Sequence, residues 1–399
     1  MSRILFAWEL GGGFGHLGPF LPLAKALLAR GHDLTVAARD VERAHIVFGT
    51  LPVNIVQAPL CTKTYNGLSE PPLNYAEILM RYGYLDAPLL AGLLAAWRGL
   101  LELSAADVLL ADHAPTALLA ARGGRAAKLL LGTPFGVPPP IHPTPNMRDW
   151  VPVPSQRLAN SDEAVLAILN RSLGDGAPRL AALHEIFHDA GRLLLGVPEI
   201  DHFGPREAGS YLGLHAGMIG RAAPSWPAGG GPRVFAYLNG EFRHIDAALA
   251  ALAGSGARCV VFLLGAAALR DKHRGPNVVF SEALLDVDRA VSECDLAVCH
   301  ANLGTVIEVM RRGKPLLLLP MDLEKFLLAR NVEKLGAAEL VHPDAPVPDV
   351  AGALKRMLES TRFAEAARAF AARHRDPPVD TIVQRAVERI ESLAAGSRT

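Results

Sequence analysis

The chain has no excess of charge of one sign: 40 Lys and Arg stand against 40 Asp and Glu in 399 residues. Nucleic-acid binders carry a clustered basic excess, and its absence argues against that class of partner. Cysteine is scarce. Cys61, Cys259, Cys294 and Cys299 fit no CxxC metal or redox spacing and read as buried thiols of a reducing compartment. Long apolar runs are missing too. A membrane span needs ~18 uninterrupted apolar residues; the best candidate, 85–103, is broken by Asp86, Arg98 and Glu102. The apolar start at 4–8 meets Glu9 and a glycine run, too short for a signal segment. No repeat of solenoid period is present. These absences predict a cytoplasmic chain with no transmembrane segment and no nucleic-acid partner.

What is present is core-forming material: 50% of the residues are hydrophobic and 20% charged. The length fits two domains of roughly 200 residues each. Apolar runs at 4–8, 34–37, 108–111 and 129–132 read as buried strands. Between the first two, Phe20, Leu21, Leu23, Ala24, Leu27 and Leu28 recur at helical spacing, and Gly31 is a helix stop. Strand–helix–strand with short connections implies a parallel sheet. Residues 134–156 are proline-rich and predict a long loop, and such loops tend to be functional. Residues 217–232 hold Pro224, Pro227, Gly229, Gly230, Gly231 and Pro232 and read as a linker. Strand-like runs then resume at 234–238, 259–264, 278–280, 296–299 and 316–319. The expected organisation is a first Rossmann-like domain over 1–216, the linker, a second over 233–378, and a C-terminal helix over 379–399 that packs back on the first. Two doubly wound parallel sheets would present a ligand cleft between their carboxyl ends.

The loop after the first strand, 11–16, is glycine-rich and ends in His16. As a dinucleotide fingerprint it is poor, lacking the acidic residue expected about 20 positions on. His16 opens the helix region near Pro19, where an imidazole has the pKa range of a general base for a hydroxyl. Asp112 ends a strand of the same domain. It suits either an orienting carboxylate for His16 or a cap for the helix beginning at Ala114-Pro115, and His113 competes with it for contact. In the second half, the strand at 296–299 leads into His300, Ala301, Asn302, Leu303, Gly304 and Thr305, then a helix containing Glu308. A helix N-terminus offers free N–H groups and partial positive charge to a diphosphate. Thr305 adds a hydroxyl, His300 a ring donor, and Glu308 an acceptor for ribose hydroxyls. The next loop, running to Asp322, Glu324 and Lys325, offers carboxylates that can bind vicinal sugar hydroxyls.

Together these segments resemble the nucleotide-sugar glycosyltransferases of the GT-B fold, in particular the UDP-glycosyltransferase-like group that contains the antibiotic and macrolide glycosyltransferases. The family's GH-x-x-P is matched by Gly15, His16 and Pro19. Its H-G-G-x-G-T-x-x-E is matched from His300 to Glu308, its G-x-P by Gly313 and Pro315, and its P-x-x-x-D-Q from Pro320 to Lys325. The resemblance spans both domains. It implies an inverting, metal-independent transfer from a UDP- or dTDP-sugar, with no cofactor, to a hydroxyl of a small, largely apolar acceptor. It makes His16 the base and Asp112 its partner. His300, Gly304 and Thr305 would hold the diphosphate, Glu308 the ribose and Glu324 the sugar, within a donor set that adds Asn239, Gly240, Leu285, Asn302, Leu303 and Lys325. The departures are specific. Ala301 and Asn302 replace glycines, Glu324-Lys325 stands where Asp-Gln is usual, Asn239-Gly240 where Gly-Ser is common, and Leu284 where an aromatic residue often stacks on the base. A homodimer is left open. Other readings of the same pattern are a cell-envelope or lipid-acceptor glycosyltransferase, a nucleotide-sugar epimerase, and a non-catalytic nucleotide-sugar-binding relative.

Overall fold

The structure, a computed structural model, describes every residue except Asp175, Ala208, Ala216, Met218, Ile219, Asp376 and 397–399. The chain divides into two compact units. Unit 1 comprises Met1–Leu195, Phe203–Gly213 and Asp380–Thr399; unit 2 comprises Gly196–His202 and Leu214–Val379. Residues Gly196–His202, which the sequence reading assigns to the first domain, group with unit 2.

Unit 1 is built on one parallel sheet. Its strands are β1 (Arg3–Trp8), β2 (Asp33–Ala38), β3 (Asn54–Gln57), β4 (Val108–Asp112), β5 (Ala127–Gly132), β6 (Gly191–Leu195) and β7 (Tyr211–Gly213). They lie in the order β3-β2-β1-β4-β5-β6-β7. Strand order reverses between β1 and β4, which pair in parallel with Trp8 opposite Asp112. β4 is buried at every position, and β1 at all but its first. Sheets covered on both faces by helices select such continuous apolar strands. The proline-rich segment opens with a short turn, Pro134–Gly136, and gives way to the helix Ser155–Ser172. Asp162 of that helix accepts from the Thr144 amide at 2.7 Å and its hydroxyl at 2.6 Å, which ties the segment down.

Unit 2 repeats the pattern with β8 (Arg233–Asn239), β9 (Arg258–Leu264), β10 (Val278–Ser281), β11 (Leu296–Cys299), β12 (Leu316–Leu318) and β13 (Ala338–Leu340). The order is β10-β9-β8-β11-β12-β13, all parallel. The reversal falls between β8 and β11. Of the expected linker 217–232, Met218 and Ile219 lie outside the described residues. Beyond them the segment is fastened to unit 2: Arg221 and Ala222 amides both donate to the Leu284 carbonyl at 3.1 Å, and the Trp226 indole donates to Glu293 at 2.6 Å. The C-terminal helix Val379–Gly396 buries Ile382, Val383, Ala386, Val387, Ile390 and Ala394. Its Glu391 meets Arg30 at 2.6 Å and His32 at 2.9 Å within unit 1. No described helix is long and apolar enough to cross a membrane.

Candidate functional site

Ligands of doubly wound sheets bind at the carboxyl ends of the strands where strand order reverses. In unit 1 that point lies between β1 and β4. His16 closes a short turn, Phe14–His16, after β1, and Asp112 is the last residue of β4. The His16 Nδ1 lies 3.0 Å from Asp112 Oδ1, with both side chains buried. An ionised carboxylate only accepts, so Nδ1 carries the hydrogen and Nε2 is the basic nitrogen. Burial holds the Asp112 carboxyl above its ordinary value, and the neighbouring His16 opposes that rise in part. Asp112 is not a helix cap: the following helix, Pro115–Ala120, starts at Ala114 with no side-chain capping bond.

Residues outside the sequence motifs fix this pair. The Trp8 ring stacks on His16, with centroids 5.2 Å apart and planes at 19°. Gly11, in the left-handed region at φ 82°, leaves room for the imidazole: a Cβ there would stand 2.4 Å from Nε2. Gly132, at φ 106° on the end of β5, does the same for the carboxylate, where a Cβ would come 2.2 Å from Oδ1. Gly132 is not recognisable beforehand, because its neighbour Asp112 comes from another strand. Below them Glu9 is fully buried, accepts from the Thr116 amide at 2.9 Å, and is bonded by the Thr116 hydroxyl. Desolvation by burial raises its pKa to about 7 against those hydrogen bonds.

In unit 2 the corresponding point lies between β8 and β11. His300 follows β11 and is 2% exposed. The sequence reading gives its ring to the diphosphate as a donor, and the geometry differs. Nε2 accepts from the Asn239 amide at 2.8 Å, and Nδ1 donates to the Leu319 carbonyl at 2.7 Å. Burial lowers its pKa to about 4. The ring is therefore neutral with both nitrogens occupied, and it braces the ends of the neighbouring strands. The N–H groups that remain for an anion belong to the helix Leu303–Arg311. Asn302 is its N-cap, and its side chain makes no capping bond to the first-turn amides. Ala301 adopts φ 60°, a left-handed backbone where the family pattern has glycine.

The remaining donor residues divide. Asn239 accepts from the Glu241 amide at 3.0 Å, and Gly240 donates to the Leu264 carbonyl at 2.8 Å. A Cβ on Gly240 would meet the Ala266 methyl at 2.4 Å, so only glycine fits. Glu308 is buried and pairs with Arg311 and Arg312. Burial raises its pKa to about 7, and a hydrogen bond shared with Asp288 adds to the rise. Both arginine contacts fall on Glu308 Oε1. Leu285 does not present a stacking surface. Its side chain is 1% exposed, in the core, and its backbone bridges to Ala222, while Leu284 beside it is partly exposed. Asp322 caps the helix Leu323–Lys334 and pairs with Lys325, and Glu324 is partly exposed on the first turn.

No family model matches the chain. It is 26% identical over 380 residues to the elloramycin glycosyltransferase of Streptomyces olivaceus, covering 91% of each. Among solved structures it is similar to the glycosyltransferase VinC in complex with dTDP (TM-score 0.65, 16% identity, 97% of this chain and 100% of that one). The calicheamicin glycosyltransferase CalG4 aligns with TM-score 0.68 and 18% identity over 99% of this chain and 98% of that one. SnogD of Streptomyces nogalater aligns with TM-score 0.62 and 20% identity over the whole of both chains. With these likenesses added to its two parallel-sheet units, the chain has the GT-B fold and is similar to the antibiotic glycosyltransferases.

Proposed function

We propose that the protein transfers a sugar, with inversion, from a UDP- or dTDP-sugar to a hydroxyl of a small, largely apolar acceptor. The observation that carries this reading is the buried 3.0 Å bond between His16 Nδ1 and Asp112. With Nδ1–H committed to Asp112, Nε2 takes the acceptor's hydroxyl proton. The oxygen so freed attacks the anomeric carbon from the face opposite the leaving group, and the nucleoside diphosphate departs with the bonding electron pair. Asp112 holds the tautomer and stabilises the imidazolium that forms. The first-turn amides of the helix Leu303–Arg311 receive the charge that develops on the diphosphate, and no metal is needed for that step. The dTDP in the VinC complex supports a nucleoside-diphosphate donor, and the antibiotic named in the elloramycin glycosyltransferase supports a small natural-product acceptor.

The test is transfer assayed over a panel of UDP- and dTDP-sugars with hydroxylated aromatic and macrocyclic acceptors, with and without EDTA. General-base catalysis contributes about 10²–10⁴-fold, so His16→Ala should lose activity on that scale while donor binding by calorimetry is kept. Full activity in His16→Ala removes the base assignment, loss with EDTA removes the metal-free one, and retention of anomeric configuration removes direct displacement.

A further inference from the structure

The residue after Asp112 has no part in the chemistry above, yet the fold holds it under strain. His113 adopts φ 44°, a left-handed backbone that costs a non-glycine residue roughly 1–2 kcal/mol. Its carbonyl accepts from the Leu10 amide at 3.0 Å, which locks the loops after β1 and β4 together. The ring is buried, and its Nε2 has no hydrogen-bond partner among the described residues. The hydroxyl of Tyr75 is likewise buried and unpartnered. The two rings are neighbours, with centroids 6.0 Å apart. Around them the walls are aromatic. Phe135 meets His113 edge-on at 6.4 Å and 88°, Phe187 meets Tyr75 at 5.7 Å, and Phe203 stacks on Phe135 at 11°. The Gly136 backbone packs against the imidazole, since a Cβ there would stand 3.1 Å from it.

Each unpaired buried polar atom costs about 1–3 kcal/mol, and strain of this kind persists where function requires it. Two such atoms on neighbouring rings in an aromatic-walled region, with His113 next to Asp112 in sequence, call for polar partners. We propose that His113 Nε2 and the Tyr75 hydroxyl are the polar anchor of an acceptor subsite in unit 1, and that they bind a non-reacting hydroxyl or carbonyl oxygen of a planar aromatic acceptor. The inference rests on the glycosyltransferase reading and adds the acceptor class to it. Burial holds the His113 pKa at about 3, with His16 and Arg39 nearby, so the ring is a neutral donor or acceptor at working pH. Phe135 and Gly136, at the start of the proline-rich segment, cover the ring, and the acceptor enters by displacing them. The flat walls select a fused aromatic system over a flexible chain.

The experiment compares two probes with one dTDP-sugar donor: 1,2-dihydroxyanthraquinone, and 2-hydroxyanthracene, which lacks the neighbouring oxygens. Wild-type enzyme should prefer the first by tenfold or more in kcat/KM, because a site built around a hydrogen bond rejects the analogue without it. Tyr75→Phe and His113→Phe should raise the KM for the anthraquinone about tenfold and collapse the preference. Both should leave dTDP affinity unchanged and melt at the wild-type temperature or above it, since each removes an unpaired polar atom. Rescue of the preference by His113→Gln would assign it to a hydrogen bond. Unchanged acceptor KM and preference in both Phe variants overturns the anchor. Wild-type transfer to octanol but to neither aromatic probe overturns the acceptor class and spares the glycosyltransferase reading; no transfer to any alcohol tells against that reading itself.

Discussion

At the scale of single residues, Glu9 gives the sharpest pH signature. It stands beside Trp8 and carries a carboxyl whose pKa is raised from 4.5 to about 7, with desolvation by burial the largest cause. A raised carboxyl binds its proton more tightly in the folded state than in the unfolded one. Its contribution to stability is therefore complete below pH 4.5 and is lost as pH rises through about 7. Glu308 adds a loss of the same sign. Gln mimics the protonated acid and can still bond both Thr116 groups. Glu9→Gln should therefore match wild type near pH 5, exceed it near pH 8, and roughly halve the downward slope of melting temperature between them. Equal slopes in a melting series across that range would mean that Glu9 is charged in the folded protein.

At the scale of elements, the two units solve one problem in two ways. In each, a histidine just beyond a strand at the reversal point is bonded to the end of the neighbouring strand. His16 reaches the Asp112 side chain, and His300 reaches the Asn239 amide. The first engages a side-chain carboxylate through Nδ1, whereas the second uses both nitrogens on backbone. Most inner strands were legible in the sequence because strands buried on both faces read as continuous apolar runs, whereas their order was not predicted. What escaped was short and at the edge. β3, β7 and β13 have 4, 3 and 3 residues and are only partly buried, so their composition carries little pattern. β6 was obscured by Gly191 and Arg192 at its start. The neutral state of His300 was illegible because its partners, Asn239 and Leu319, are main-chain atoms brought in by β8 and β12. A prediction follows for this element. His300→Ala leaves a buried amide and carbonyl unpaired, and should cost about 1–3 kcal/mol of stability and weaken UDP or dTDP binding. The ratio of wild-type to variant affinity should stay constant from pH 6 to 9, since a ring with pKa about 4 is neutral throughout. A ratio that grows as pH falls toward 6 would restore a charged contact to the diphosphate.

At the scale of the whole molecule, the chain passes between the units at four points, since unit 1 comprises three stretches and unit 2 comprises two. The last stretch is a single helix. The helix Val379–Gly396 follows unit 2 in sequence but closes unit 1, laying Ile382 against Gly213 and Glu391 against Arg30 and His32. The exposed ion pairs contribute little; the buried apolar face is the main attachment. Ile390, 1% exposed at its centre, is the residue to remove. Ile390→Ala should cost roughly 2–5 kcal/mol, confined to unit 1. Hydrogen exchange reads the units separately: protection should fall in β1, β2 and β4 and stay unchanged in β8, β9 and β11, with dTDP affinity retained. Loss of protection in the unit 2 strands instead would mean that the helix stabilises unit 2, and the split at Asp380 would be wrong.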